Sequence, residues 1–255
     1  MTETKHISVL LEETVGGAHL EKGMVVVDAT FGGGGHARAM LEQVSPSGRV
    51  IAIDADMQAL ERFRKSAGND AFLTEAIRDG RLVLWHGNYS DLGGALEGAR
   101  VSRVDAIIAD LGFSSDQIES PERGFSFRKD GPLDMRLDQE GDLTAEMIVN
   151  AYQSPELERI FREYGEESEA HRIALAIIEE RKKQPIRTTG ELADIIERAY
   201  PARKRRTSKI HPATKAFQAL RIAVNREFEH LEKFLREAVE RLNPGGRLAV
   251  ITFHS

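Results

Sequence analysis

The segment Met24-Val-Val-Val27-Asp28-Ala-Thr-Phe31-Gly32-Gly33-Gly34-Gly35-His36 decides how the rest of the chain is read. A short unbroken apolar run ends at a carboxylate, passes through four glycines and enters a helix-like stretch at 36–44. Glycines between a strand and a helix let the backbone turn sharply and let a ligand approach where a Cβ would clash. The same form recurs downstream. Residues 49–53 read as a second strand ending at Asp54, 81–85 as a third, and 104–109 as a fourth ending at Asp110. Helix-like stretches at 57–67 and 89–98 separate them. Apolar runs alternating with helices in this way predict an α/β fold, with parallel strands, right-handed crossovers and both sheet faces covered.

Gly32, Gly34 and Ala37 satisfy the G-x-G-x-x-G/A pattern, which serves nicotinamide and S-adenosylmethionine enzymes alike. Asp54, 22 residues after Gly32, stands where a carboxylate accepts hydrogen bonds from ribose hydroxyls. Two features favour S-adenosylmethionine. Asp28 lies just before the glycines, a position that suits a cationic ligand and repels a pyrophosphate. The fourth strand ends in Asp110-Leu-Gly-Phe113, a second polar group at the carboxyl edge of the sheet. Enzymes that methylate exocyclic base amines carry a [D/N/S]-P-P-[Y/F] segment there. Its polar side chain and a carbonyl hold the amine while its aromatic ring stacks on an unstacked base. Here the prolines are missing. A nicotinamide dehydrogenase and a non-catalytic RNA-binding assembly factor on the same fold stay open as alternatives.

From Leu111 to Asp142 the chain is irregular and rich in Gly, Ser, Pro, Arg and Asp, a length that usually signals function. Helices follow. Ser154-Pro155 is a start signal, 167–183 an apolar-striped helix, and Thr188 with Glu191 a capping box. The apolar stripe of 213–242 predicts one long helix or two in series. Asn243-Pro-Gly-Gly246 is a turn before a last strand at 247–253.

The 255 residues carry 41% hydrophobic and 30% charged side chains and no cysteine, which excludes disulfides, thiolate nucleophiles, iron–sulfur clusters and zinc fingers. It also excludes any route through a cysteine adduct to a substrate base. Of the eight histidines, His36, His86, His211 and His254 are too scattered to suggest a metal site, and His86 and His211 read as structural. No secretory leader or membrane span is visible, so the cytoplasm is the expected location. The net charge of −6 hides a gradient. Eight Lys/Arg and no acid fall between Arg203 and Arg226, whereas six Glu fall between Glu156 and Glu169. The run from Arg203 to Lys209 reads either as a solvated loop or as an arm that binds phosphates. The chain stops at Ser255, directly after a strand, and a trimmed C-terminus is expected.

Taken together, these blocks resemble the bacterial small-subunit ribosomal RNA methyltransferase H, or MraW, family. The resemblance rests on His6-Ile-Ser-Val-Leu-Leu-Glu12, the 28–36 turn, Ala52-Ile-Asp54-Ala-Asp56, His86-Gly-Asn-Tyr89-Ser and Asp110-Leu-Gly-Phe-Ser-Ser-Asp-Gln117. More specific still are Glu122-Arg-Gly-Phe-Ser-Phe127, Asp130-Gly-Pro-Leu-Asp-Met-Arg136, the His211-Pro-Ala-Thr block through Arg221, and 244–255. The resemblance implies a class I, Rossmann-like methyltransferase fold formed by residues 1–118 and 216–255. An inserted all-helical domain at 119–215 would recognise RNA. It further implies transfer from S-adenosylmethionine to N4 of a cytidine in the decoding centre of 16S rRNA. Cofactor contacts would be Gly34, Gly35, His36, Asp54, Tyr89, Asp110 and Gln117, with Asp110 also catalytic and no metal. Two departures stand out. The family's chain continues past the final Phe-His-Ser block, and Phe113 stands where Val is common.

Overall fold

The computed structural model describes residues 9–112, 117–118 and 120–252. The expectations for Phe113 and for the ends of the chain, including His6 and His254, lie outside the described residues. The chain divides into two compact units, residues 1–114 with 229–255 and residues 115–228.

The first unit is an α/β sheet. Its elements run α1 (Leu11–Gly17), β1 (Val25–Asp28), α2 (Gly35–Val44), β2 (Arg49–Asp54), α3 (Met57–Ala67), α4 (Ala71–Arg78), β3 (Leu82–His86), α5 (Leu92–Gly98) and β4 (Val104–Asp110). After the second unit the sheet resumes with β5 (Leu242–Ile251). All pairings are parallel and the order is β3-β2-β1-β4-β5, so the winding direction reverses between β1 and β4. Strand runs without alternation follow from burial on both faces. Val26, Val50, Ala52 and Ile108 pack against Met40 and Leu41 of α2 and Leu60 of α3. Val27, Ile51, Ile53 and Ile107 pack on the other face against Leu92 and Leu96 of α5 and against Phe234 and Ala238. Burial of each Val, Leu, Ile, Met or Phe side chain among them contributes roughly 1.5–3 kcal/mol.

Several boundaries differ from the sequence reading. Tyr89–Asp91 is a short 3-10 turn and the α-helix starts at Leu92. In β5 the ladder jumps from Leu242, opposite Val104, to Arg247, opposite Ala106. The Asn243-Pro-Gly-Gly246 turn is thus a bulge in the strand, with Gly245 at φ +84.

The second unit is helical: α6 (Ala145–Ala151), α7 (Ser154–Gly165), α8 (Ala170–Arg181), α9 (Thr189–Ala199), α10 (Ala202–Thr207) and α11 (Ala213–Asn225). Helix α12 (Glu227–Arg241) returns the chain to the sheet. The cap of α7 is Gln153, not Ser154, and the Glu156 carboxylate accepts from the Gln153 N–H at 2.8 Å. The Thr188–Glu191 capping box forms as expected. The stripe at 213–242 is two helices, broken at Arg226 with φ +46. Its halves serve different cores, because Ala216, Phe217 and Leu220 join Phe161, Ile173, Ile177 and Ile196 of the helical unit. The return to the α/β unit therefore falls at Glu229, not at residue 216, and the departure falls after Ser114.

The irregular stretch before α6 is knitted by the two sequence blocks it contains. The buried Arg123 guanidinium donates to the carbonyls of Arg136 and Leu137 at 3.0 and 2.9 Å. Asp134 and Arg136 form a bidentate pair, and the Asp130 carboxylate accepts from Gly190 N–H at 2.8 Å. A Cβ on Gly131 would lie 2.0 Å from the Pro121 carbonyl, so that position excludes any larger residue. These blocks hold the helical unit together.

Candidate active site

In parallel neighbours, paired residues lie side by side and residues two apart share a face. Asp28 pairs with Ala52 on one side and Ile108 on the other. Asp54 and Asp110 each stand two residues further along those flanking strands. β1 thus ends two residues short, and the glycine turn opens above Asp28 with Asp54 and Asp110 on either side. This is the crevice at the reversal of strand order, where open α/β sheets bind ligands.

The turn is held by its surroundings. Phe31 N–H donates to the Ile53 carbonyl and Gly34 N–H to the Phe31 carbonyl. Gly32 and Gly34 lie at φ +53 and +80. A Cβ on Gly34 would sit 2.7 Å from Phe63 and 2.9 Å from Phe31, whose rings meet edge to face at 4.7 Å. Gly35 then opens α2, followed by the buried His36.

Asp54 is fixed through both oxygens. Oδ2 accepts from Gly32 N–H at 2.7 Å and Oδ1 from Asp56 N–H at 2.8 Å. Each oxygen keeps a lone pair for a ligand hydroxyl. Asp110 is tied to the turn through its backbone, because its N–H donates to Thr30 Oγ1 at 2.6 Å. Sequence reasoning missed Thr30, whose contact depends on β1 and β4 being neighbours.

Electrostatics mark the crevice as acidic. Asp28 is fully buried, and desolvation pushes its carboxyl up to about 7. Nearby Asp54 and Asp110 add to that rise, while the amides of Thr30 and Ala37 oppose it. Burial likewise raises Asp54 to about 6, against the pull of the Asp56 and Gly32 amides. Three carboxylates around one glycine turn suit a ligand with positive charge and disfavour a pyrophosphate. The residues therefore fit S-adenosylmethionine, with its sulfonium, ammonium and ribose diol.

The β3 end supplies a further wall. Gly87 N–H donates to the Asp54 carbonyl, and the Asn88 side chain accepts from Ser90 N–H at 2.9 Å. Tyr89 stacks edge to face on Phe234 of α12 at 5.3 Å, and the Ser90 hydroxyl lies 2.8 Å from His230 Nδ1 on the same helix. His86 reaches the Ala55 carbonyl at 3.2 Å, a structural contact. The fold thus gathers Gly34, Gly35, His36, Asp54, Tyr89 and Asp110 into the α/β unit. Gln117 is buried in the other unit. Among the described residues no His, Asp or Glu side chains cluster as metal ligands, and no helix is long and apolar enough to cross a membrane.

Comparison with known proteins shows the family. The model of the MraW methylase family matches residues 3–255. Ribosomal RNA small subunit methyltransferase H of Desulfosudis oleivorans is 45% identical, over 98% of this chain and 78% of its own length. The protein of that name from Thermomicrobium roseum is 48% identical over 99% of this chain and 74% of its own. Among solved structures, a putative rRNA-methylase from Clostridium thermocellum aligns with 42% of this chain and 54% of its own at 21% identity and a TM-score of 0.35.

Proposed function

The chain belongs to the MraW methylase family, and from that premise we propose that it methylates the exocyclic N4 amine of a cytidine in the decoding centre of 16S ribosomal RNA. The cofactor is S-adenosylmethionine. The observation that carries the reading is the placement of Asp28, Asp54 and Asp110 on adjacent strands around the glycine turn.

Bound in that crevice, S-adenosylmethionine supplies a methyl group on a sulfonium, an activated carbon that needs no covalent help from the protein. The protein's part is proximity and orientation. Gly34 and Gly35 would bring backbone close to the cofactor, with His36 following in the first turn of α2. Asp54 holds the ribose hydroxyls through the lone pairs left after its two backbone bonds. Tyr89 closes one side and Asp110 faces the acceptor. The Asp110 carboxylate accepts one amine hydrogen and an adjoining backbone carbonyl the other. Nitrogen lone-pair density is thereby drawn out of the ring and directed at the methyl carbon. With the activated methyl group supplied there, Asp110 would take the proton that the amine nitrogen releases. Gln117 joins the cofactor contacts on the strength of the family pattern alone.

The helical unit is assigned to RNA recognition and the substrate to rRNA of the small subunit, in the cytoplasm. Small subunits lacking the modification test this reading. Incubation with labelled S-adenosylmethionine should place one methyl group on a cytidine N4, identified by mass spectrometry of digested RNA. Label on carbon-5, on a ribose or on no RNA overturns it.

A further inference from the structure

The basic run from Arg203 onward is not uniform once folded. Lys204 Nζ lies 2.5 Å from the buried Glu169 carboxylate and 3.2 Å from Ser168 Oγ. Arg205 lies 3.8 Å from Glu197, and Arg221 forms a bidentate pair with Glu227 at 2.7 and 3.0 Å. Lys215 donates to the Glu166 carbonyl at 2.9 Å. Lys204 and Arg221 are therefore paired within the helical unit, Arg205 lies near Glu197 at its surface, and Lys204 fastens α10 to it. Arg203, Arg206 and Lys209 remain exposed, with no carboxylate paired to them among the described residues.

Beside them stands a ring pair. His211 lies 4.6 Å from Phe127 with the planes tilted by 36°, and Phe127 meets Phe217 edge to face at 4.9 Å. Phe217 is buried in the helical core, so the pair is braced from behind, while the His211 side chain is 39% exposed. Glu197 locates this pair next to α10, since its carboxylate is 3.8 Å from both Arg205 and His211 Nε2. Guanidinium and ammonium groups neighbouring an exposed, braced ring form the combination that binds unpaired RNA: cations track phosphates and the ring takes a base. Duplex RNA offers its backbone but no free base face.

We propose that this surface holds a single-stranded segment of the substrate RNA, with Arg203, Arg206 and Lys209 on its phosphates and one base stacked on His211. The proposal rests on the rRNA reading above and adds a second contact, separate from the methyl-transfer crevice. His211 also accepts the Ala213 N–H at 3.2 Å, so its loss affects the start of α11 as well. Two variants separate these roles. His211→Asn keeps an acceptor without the ring, and His211→Phe keeps a ring without the acceptor.

The test is fluorescence anisotropy with a short labelled single-stranded RNA, and with the same strand in a duplex, over a salt series. His211→Asn should weaken single-strand binding about fivefold or more. His211→Phe should bind as the parent does. Both should leave the salt dependence and duplex binding unchanged. Arg203→Ala with Arg206→Ala should lower the slope of log affinity against log salt by about 1.4, near 0.7 for each phosphate lost. Equal binding by His211→Asn and the parent, or equal losses on duplex and single strand, overturns the stacking assignment. An unchanged slope overturns the phosphate assignment. Methyl transfer by the parent chain, measured on small subunits in parallel, separates these failures from failure of the rRNA reading.

Discussion

His230 and Ser90 are 140 positions apart in the chain, yet His230 Nδ1 lies 2.8 Å from the Ser90 hydroxyl. One turn further along α12, Phe234 supports the ring of Tyr89. The wall beside Asp54 is thereby held from a helix that enters the chain after the entire helical unit. Under the proposed cofactor contact of Tyr89, His230 is a positioning residue that acts through Ser90 and Tyr89. A hydrogen bond of this kind is worth ~1 kcal/mol, or about fivefold in affinity. His230→Ala should raise the S-adenosylmethionine KM and the S-adenosylhomocysteine Kd by about that factor with kcat little changed. His230→Asn, which retains a group at the Nδ1 position, should recover most of the loss. A fall in kcat at constant KM would contradict the assignment.

Gly34 has no room for a side chain. Its φ of +80 and the 2.7 Å and 2.9 Å approaches to Phe63 and Phe31 both penalise alanine. The left-handed backbone alone costs on the order of 1–3 kcal/mol. Gly34→Ala should unfold at lower temperature and lose saturable binding of S-adenosylhomocysteine by calorimetry. Gly80→Ala is the control: φ is +73 there too, but nothing lies within 4 Å of a Cβ. That variant should lose stability alone and bind the ligand normally.

The ends of β1, β2 and β4 were readable because strands buried on both faces appear as unbroken apolar runs, and these three are each stopped by a visible carboxylate. Asp28, Asp54 and Asp110 could be named on that basis. Thr30, Ser90 and His230 could not, since their contacts arise from the β1–β4 adjacency and from the docking of α12. Helix α4 carries a local signal in Asp70, which caps it by accepting from Phe72 and Leu73 N–H. The return expected at residue 216 and the division of the compact units at Glu229 differ because the stripe from Phe217 to Leu242 has one periodicity but feeds two cores. The blocks around Arg123 and Arg136 were the most distinctive in the sequence, and the structure uses them as internal fastenings. Distinctive sequence marks demanding geometry, whether or not chemistry happens there.

Asp110 and Lys204 should separate chemistry from architecture. Asp110→Ala removes the proposed amine acceptor and should lower turnover on small subunits ~100-fold or more, the range for a positioned acid–base group. Lys204→Ala should turn over like the parent. Its ammonium is half exposed, and Glu169 keeps Arg172 at 3.7 Å, so the cost should be about 1 kcal/mol or less of stability. Equal losses of turnover in the two variants would remove Asp110 from its catalytic role.

Asp28 makes the unliganded protein sensitive to pH near neutrality. Its carboxyl rises from 3.8 to about 7 on folding because burial disfavours the charge, with Asp54 and Asp110 nearby adding repulsion. Between those values the folded chain holds a proton that the unfolded chain has released. The stability linked to that proton is complete below about pH 4 and is lost as pH rises through about 7. Asp28→Asn cannot ionise, so the part of this decline due to Asp28 should vanish in denaturation curves between pH 5 and pH 8. A cationic ligand reverses the preference, because it stabilises the carboxylate. S-adenosylmethionine should therefore bind more tightly as pH rises toward 8 and should release part of a proton on binding near pH 7. Calorimetry in buffers of different ionisation enthalpy measures that proton directly. Its persistence unchanged in Asp28→Asn would assign the proton to another group, with Asp54, raised to about 6, the next to test.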